Sequence, residues 1–318
     1  MLDVHCPVCG STGGARIHEV LEAHSIYECL SCLVQYASPF VAAGGGHYES
    51  SYITKKYWWS EGRELERVRV SPRYRTFFRH VKAASDPKLL DLGCGMGAFM
   101  KIARQYSFRP CGMDGSAEAV SRAAALGMGE VRSGSLYNVP DDWGGFYAVT
   151  SFEVLEHLDR PSEFIQNAYG LLRSGGFLCV SVPDRGRFEL SLAGRRDSGD
   201  LPPNHLSRWS SVSLLRFLRR WDWEELRVFH TALEVGALWR ALGIRLRGFR
   251  RDGSEREAAV PAPRPSPAIS VHRDREFESR RVMHSLRVLG DHLLWGTSPL
   301  TIALGAYGHS LVALAKKP

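Results

Sequence analysis

Short apolar runs, closed by glycine-marked turns and followed by stretches of helical period, set the rhythm of the middle of this chain. The clearest unit is Lys88-Leu89-Leu90-Asp91-Leu92-Gly93-Cys94-Gly95-Met96-Gly97-Ala98-Phe99, which reads as an apolar strand, a glycine-rich turn and the start of a helix. That is the layout of a nucleotide-binding strand-turn-helix element. A second strand, Pro110-Cys111-Gly112-Met113, ends on Asp114, and Gly115 and Ser116 open the next helix. Glu224-Glu225-Leu226-Arg227-Val228-Phe229 and Ser310-Leu311-Val312-Ala313-Leu314-Ala315 read as further strands. A charged helical pattern over residues 61–84 predicts a helix capping the sheet. Helical patterns over 231–242 and 274–294 flank a proline-rich stretch at 260–267.

Composition adds bounds to this picture. A chain of 318 residues with 44% hydrophobic content has room for one full catalytic domain plus small additions. Cys6 and Cys9 stand where a secretion leader would need a continuous apolar run, which predicts a cytoplasmic protein. The most apolar tract, residues 289–315, is broken by Asp291, His292, Pro299 and His309, so it lacks the roughly 20 uninterrupted apolar residues of a spanning helix. The net charge of +7 suits acidic partners such as nucleic acid, nucleotide-linked substrates or anionic lipid headgroups, without choosing among them. Arginines gather at Arg240, Arg245, Arg247, Arg250 and Arg251, and again at Arg280, Arg281 and Arg287. They lack the aromatic interleaving of a base-stacking surface and read as a solvated face.

Four of the seven cysteines form two knuckles, Cys6-Pro7-Val8-Cys9 and Cys29-Leu30-Ser31-Cys32. A two-residue gap lets both thiolates of a knuckle reach one ion, and two knuckles close a tetrahedral structural site, the spacing of a zinc ribbon. Paired disulfides are disfavoured in the cytosol, and a thioredoxin-like redox motif lacks its βαβ context here. Residues 1–40 are therefore expected to be a zinc ribbon too small to stand on apolar burial alone. Cys94, Cys111 and Cys179 lie in apolar strand or turn contexts and read as small buried hydrophobes.

The glycine loop runs G-x-G-x-G with Asp91 two positions ahead, unlike the G-x-G-x-x-G of dinucleotide sites. Cβ-free positions admit a ligand close to the backbone, while a carboxylate beside the loop repels pyrophosphate and suits a cationic amino-acid moiety. Asp114 is placed to accept both ribose hydroxyls. These features resemble the class I S-adenosylmethionine-dependent methyltransferase superfamily: Leu89 to Gly97 is similar to its first motif, and Gly112-Met113-Asp114 is similar to the next. The resemblance continues with Phe146-Tyr147-Ala148-Val149-Thr150-Ser151-Phe152 as a fourth strand and Leu171-Leu172-Arg173-Ser174-Gly175-Gly176-Phe177 as the turn before a fifth, and it covers about 88–229. It implies an α/β Rossmann-like fold: a seven-stranded, mostly parallel sheet with helices on both faces and an antiparallel last strand. It also implies S-adenosylmethionine held by Asp91, Gly93, Cys94, Gly95, Gly97, Asp114, Gly115, Ser116, Ser135, Leu136, Phe152 and Glu153. One departure is Gly134-Ser135-Leu136, where many relatives place an aspartate against the adenine amine; Ser135 or a backbone carbonyl would take that bond.

The acceptor is less legible. No Asn/Asp-Pro-Pro-aromatic motif closes the fourth strand, which lowers the rank of base-amine methylation. Instead Glu153, Glu156 and His157 follow it, and His205 lies in Pro202-Pro203-Asn204-His205 after the fifth strand. Spacings of three and four put the first three on one side of a helical turn. Two carboxylates and two imidazoles suit a divalent cation that activates a hydroxyl. This pattern resembles metal-assisted O-methyltransferases, including small-RNA 2′-O-methyltransferases and ubiquinone-pathway enzymes. Metal ligation, metal-free acid-base catalysis by His157 or His205, and a structural role all stay open.

The expected organisation is a ribbon at 1–40, an aromatic-rich linker and capping helix at 41–86, a cofactor-binding core at 87–230, and a helical lid insertion with the final strand at 231–318. The lid is also a candidate oligomer contact. The whole resembles ribbon-bearing methyltransferases of sugar, polysaccharide and secondary-metabolite pathways, which implies transfer to a hydroxyl or carbon of a small-molecule, nucleotide-linked sugar or glycan acceptor. An RNA methyltransferase and a non-catalytic cofactor-binding scaffold are the alternatives.

Overall fold

The structure, a computed structural model, describes residues 5–21, 23–42, 71–140, 142–187, 198–232 and 308–318. Its larger sheet has seven strands: β4 (Lys88–Leu92), β5 (Arg109–Asp114), β6 (Val131–Ser133), β7 (Phe146–Phe152), β8 (Leu172–Pro183), β10 (Glu225–His230) and β11 (Ser310–Lys316). They lie in the order β10-β11-β8-β7-β4-β5-β6. Neighbouring pairs from β6 through β8 are parallel, whereas β11 runs antiparallel to both β8 and β10. The chain leaves β4 toward β5 and β6, then returns to place β7 on the other side of β4. That reversal opens a crevice at the carboxyl ends of β4 and β7, where open α/β sheets bind ligands.

Strand alternation divides the core between the two faces. Leu89, Cys179, Val312 and Leu314 pack with Phe77, Phe78, Phe99 and Phe108 on one side. Leu90, Val180, Leu311 and Ala313 pack with Phe164, Phe217 and Trp209 on the other. The first face is covered by α1 (Pro72–His80) and α2 (Ala98–Gln105), the second by α4 (Pro161–Leu171) and α5 (Ser211–Leu218), while α3 (Ala117–Ala125) packs on β5 and β6. The α1 helix begins with a proline in its first turn and ends at His80, short of the expected residue 84, because Val81 turns extended and is buried beside Phe77. The expected turn at 174–176 lies within β8, where the pairing register shifts opposite Phe146 and Ala148 and Gly175 takes φ +71°.

The N-terminal segment forms a second sheet of β1 (Ala15–Val20), β2 (Ser25–Cys29) and β3 (Gln35–Ser38), antiparallel throughout. A fourth strand, β9 (Ser207–Arg208), comes from the core region and pairs with β3. Cys6, Val8, Cys29, Val34 and Tyr36 share one apolar cluster with Trp209, Leu214 and Phe217. The segment is thus built onto the core. Of the expected region at 231–318 the final strand is described as β11, whereas the lid's helices and proline-rich stretch, apart from residues 231–232, and both arginine clusters fall on residues 233–307, outside the described ones, as does the part of the linker from 43 to 70. Among the described residues no helix is long and apolar enough to cross a membrane.

Candidate active site

The glycine loop follows β4 directly and enters α2. Gly93, Gly95 and Gly97 all have positive φ, at 78°, 53° and 78°. A Cβ on Gly93 would lie 2.3 Å from Cγ2 of Val154, so both backbone sign and space require glycine there. Gly93 and Cys94 donate backbone N–H groups to the Met113 carbonyl, which locks the loop to the end of β5. Asp114, next along, accepts the Gly95 N–H at 2.7 Å on Oδ2 and the Ser116 N–H at 2.8 Å on Oδ1. Ser116 caps α3 by accepting from Ala119 N–H. Burial raises the Asp114 carboxyl, and those two N–H bonds work against the rise.

Asp91 is buried beneath the loop. Burial pushes its carboxyl up to about 7, opposed by the Thr150 hydroxyl, which donates to Oδ1 at 2.8 Å, and reinforced by the negative Asp114. A neutral acid at that position becomes an anion when a cation arrives. Ser135 is exposed and uses its Oγ to accept the Tyr137 N–H, in a short turn after β6. Leu136 packs against the core beside it. The Phe152 ring sits 4.6 Å from that of Phe99 and 4.7 Å from that of Tyr74, at the carboxyl end of β7.

The expected Glu153, Glu156, His157 and His205 group separates into two parts. Glu153 has φ +59°, which turns it away from the single helical turn at Leu155–His157. Its carboxylate accepts the Ser181 hydroxyl at 2.8 Å and lies 3.9 Å from His309 Nε2. Burial would raise this carboxyl, but the positive Arg73 and His309, together with hydrogen bonds from Ser181 and Ser310, outweigh it and hold the group low.

Glu156, His157 and His205 do converge: ligand-type atoms of all three lie within 4.8 Å of one another. The His157 and His205 Nε2 atoms stand 3.8 Å and 4.0 Å from Glu156 Oε1, and the two rings are 4.7 Å apart. Each Nδ1 is anchored on an acceptor: His157 donates to the Asn204 carbonyl at 2.5 Å, and His205 faces Asp200 Oδ1 at 3.4 Å. In the neutral ring, donation from Nδ1 fixes the tautomer that presents the Nε2 lone pair toward Glu156. Asp200 is held in turn by Arg187 Nη2 at 2.6 Å. Burial would raise the Asp200 carboxyl, but the His205 hydrogen bond and the Arg187 charge lower it. Glu156 is buried with neither carboxylate oxygen accepting a hydrogen bond. That burial, with Glu153 adding negative charge, drives its carboxyl well above the usual range. An orphaned carboxylate facing two oriented imidazoles fits a divalent cation. Asp200, Asn204, His309 and Arg73 were not singled out from the sequence: Asn204 adjoins His205 and Asp200 lies five positions before it, but only the fold shows both facing the imidazoles, and His309 and Arg73 are distant in the chain.

In the N-terminal sheet the Sγ atoms of Cys6, Cys9, Cys29 and Cys32 lie within 4.8 Å of one another, all as free thiols. Cys9 and Cys29 are 3.8 Å apart, close to the roughly 3.8 Å sulfur spacing of a tetrahedron with Zn–S bonds near 2.3 Å. The Cys32 N–H points at Cys29 Sγ at 3.5 Å. Hydrogen bonds from Cys32 and Cys6 draw the Cys9 thiol far below its ordinary value. The cluster fits a tetrahedral zinc ion.

The methyltransferase-domain family matches residues 64–228, just over half the chain. A "Probable S-adenosylmethionine-dependent methyltransferase" of Mycolicibacterium smegmatis is 28% identical over 148 residues, covering 45% of this chain and 56% of that protein. A ubiquinone biosynthesis O-methyltransferase of Caulobacter vibrioides is 27% identical over 147 residues, covering 44% and 56%. The chain thus spans about half the length of the curated relatives it matches. Among solved structures, an S-adenosylmethionine-dependent methyltransferase from Thermotoga maritima superposes with a TM-score of 0.52 at 15% identity, over 86% of this chain and 99% of that one, a likeness of fold.

Proposed function

Because the chain belongs to the methyltransferase-domain family, we propose that it transfers the methyl group of S-adenosylmethionine to a hydroxyl of a small-molecule acceptor, assisted by a divalent cation at Glu156, His157 and His205. The observation that carries this reading is the buried, unbonded Glu156 carboxylate facing two Nε2 atoms. The Caulobacter relative, named as an O-methyltransferase, supports a hydroxyl acceptor.

In this reading the donor lies across the loop at the crevice between β4 and β7. Gly93, Cys94, Gly95 and Gly97 give backbone access, Asp91 balances the amino-acid ammonium, and Asp114 accepts the ribose hydroxyls. Gly115 and Ser116 shape the start of α3 beneath the ribose. Ser135 and Leu136 border the adenine, with Phe152 and Glu153 at the floor near the transferring end. Methyl transfer asks the protein mainly to align acceptor oxygen, carbon and sulfur and to manage the hydroxyl proton. A bound divalent cation lowers the pKa of a hydroxyl that contacts it. Asp200 and the Asn204 carbonyl keep both imidazoles in the tautomer that ligation needs, as outer-shell acceptors do in metal sites generally. Without a cation His205 is the better placed base, since its Nδ1 faces the Asp200 carboxylate, which orients the ring. The four cysteines hold a structural zinc ion.

Label transfer from methyl-labelled S-adenosylmethionine, followed into separated RNA, protein, nucleotide-sugar and small-molecule fractions, tests the acceptor class. Label in hydroxylated small molecules or sugars is expected. Label confined to RNA, with salt-sensitive RNA binding, would replace this reading with an RNA methyltransferase. Donor binding without turnover on any fraction would make the protein a scaffold.

A further inference from the structure

The catalytic-side strand β9 begins two residues after His205, and it has the N-terminal sheet as its antiparallel partner. Gln35 is opposite Arg208 and Tyr36 is opposite Ser207. The Ala37 N–H donates to the Leu206 carbonyl at 2.8 Å, while the Leu206 N–H donates to the Glu156 carbonyl at 2.8 Å. One residue, Leu206, is therefore bonded on one edge to the cysteine-bearing sheet and on the other to the turn that carries Glu156 and His157. A two-residue strand has too little pairing to fix itself.

Both cysteine knuckles are also tied to the core through carbonyls that their tight turns leave facing outward. The Val8 carbonyl, between Cys6 and Cys9, accepts from Ser162 Oγ at 2.6 Å and from Arg220 at 3.4 Å. The Ser31 carbonyl, between Cys29 and Cys32, accepts from Arg216 at 2.9 Å. Arg185, just past β8, donates to the Leu33 carbonyl at 3.1 Å and pairs with Glu28 at 3.3 Å. The glycine loop, by contrast, is fastened to β5 and Asp114, with none of these bonds. A knuckle that loses its ion releases the turn conformation that aims these carbonyls.

We infer that the four-cysteine sheet is a positioning element for the candidate active site: metal held by Cys6, Cys9, Cys29 and Cys32 fixes β3, β3 fixes β9, and β9 sets His205 against Glu156 and His157. Divalent-cation affinity at the second site then depends on occupancy of the first, while donor binding does not. This inference rests on the divalent-cation reading above. The coupling is short, running from Cys29, whose N–H donates to the Val34 carbonyl, along β3 to the Ala37 N–H and so to Leu206.

Two full-length variants test it from opposite ends. Cys32→Ser removes a zinc ligand, and Ala37→Pro keeps all four cysteines but deletes the N–H that reaches Leu206. Zinc content by elemental analysis, Mn2+ affinity by electron paramagnetic resonance and S-adenosylhomocysteine affinity by calorimetry are measured on each. The expected result is Mn2+ affinity about 10–100-fold weaker in both variants, the range typical for loss of outer-shell support. S-adenosylhomocysteine affinity stays within about twofold, and zinc is retained in Ala37→Pro. Wild-type Mn2+ affinity in both variants overturns the coupling and leaves the divalent reading intact. Loss of S-adenosylhomocysteine affinity alongside Mn2+ affinity overturns it in favour of a general scaffolding role. Failure of the wild-type protein itself to bind Mn2+ overturns the divalent reading and the coupling with it.

Discussion

Glu156 is buried, charged when ionised, and without a hydrogen-bond donor on either oxygen, a combination that costs folding free energy unless a cation compensates it. Glu156→Gln is therefore expected to leave the Tm of the cation-free protein equal or higher while lowering Mn2+ affinity at least about tenfold. A drop in Tm with unchanged Mn2+ binding would make Glu156 a structural residue. Asp91 gives a pH signature of the opposite sort. Its folded-state value is about 7 against an ordinary 3.8, so below 7 the free protein holds a proton that a bound ammonium must displace. Donor affinity should rise with pH to about 7 and level off above it, with uptake of a proton on release, and Asp91→Asn should flatten the profile in calorimetry. The same raised value means that Asp91 removes stability as pH rises from about 4 through 7, because the unfolded chain ionises first. Gly93→Ala meets both a left-handed backbone and a 2.3 Å contact with Val154, and is expected to cost about 1–3 kcal/mol in denaturant unfolding along with donor binding.

At the scale of elements, the strand-turn-helix at 88–99 was readable because local chemistry makes it: an apolar strand, three glycines at positive φ and an amphipathic helix. The two cysteine knuckles were readable for the same reason. What spacing could not supply was direction. Glu153, Glu156 and His157 follow a helical repeat, yet the positive φ of Glu153 sends its carboxylate to Ser181 and His309 and leaves the other two to meet His205. Asp200 and Asn204 reach the imidazoles through the loop that leads into β9, the strand paired with β3. The segment at 1–40 was expected to depend on metal because it is too small for apolar burial of its own, and the structure adds a second support, since Val34 and Tyr36 bury against the core. Stripping the proposed zinc from the full chain with a thiol-reactive reagent should therefore lower the Tm of the whole protein in one transition, followed by circular dichroism. A separate, earlier transition for the N-terminal sheet would contradict that packing.

For the molecule as a whole, the central parallel strands are apolar runs buried on both faces, while their order is set by the crossover connections. The reversal between β4 and β7 places the glycine loop and the Glu156 turn at one end of the sheet. The antiparallel β11 was expected only through the family likeness, because its sequence has no mark of direction, and the pairing with β8 and β10 bears it out. In the proposed reading the donor crevice, the candidate cation cluster and the cysteine-bearing segment follow one another from β4 to β3, and the candidate cation cluster is the link on which acceptor chemistry depends. Turnover of a hydroxylated acceptor with labelled S-adenosylmethionine, after removal of divalent cations by a chelator that leaves the cysteine-bound zinc in place, tests that link. Activity should fall at least about tenfold and return with Mg2+ or Mn2+ in wild-type protein but not in Glu156→Gln. Full activity in chelator, with zinc as the sole metal present, would contradict it.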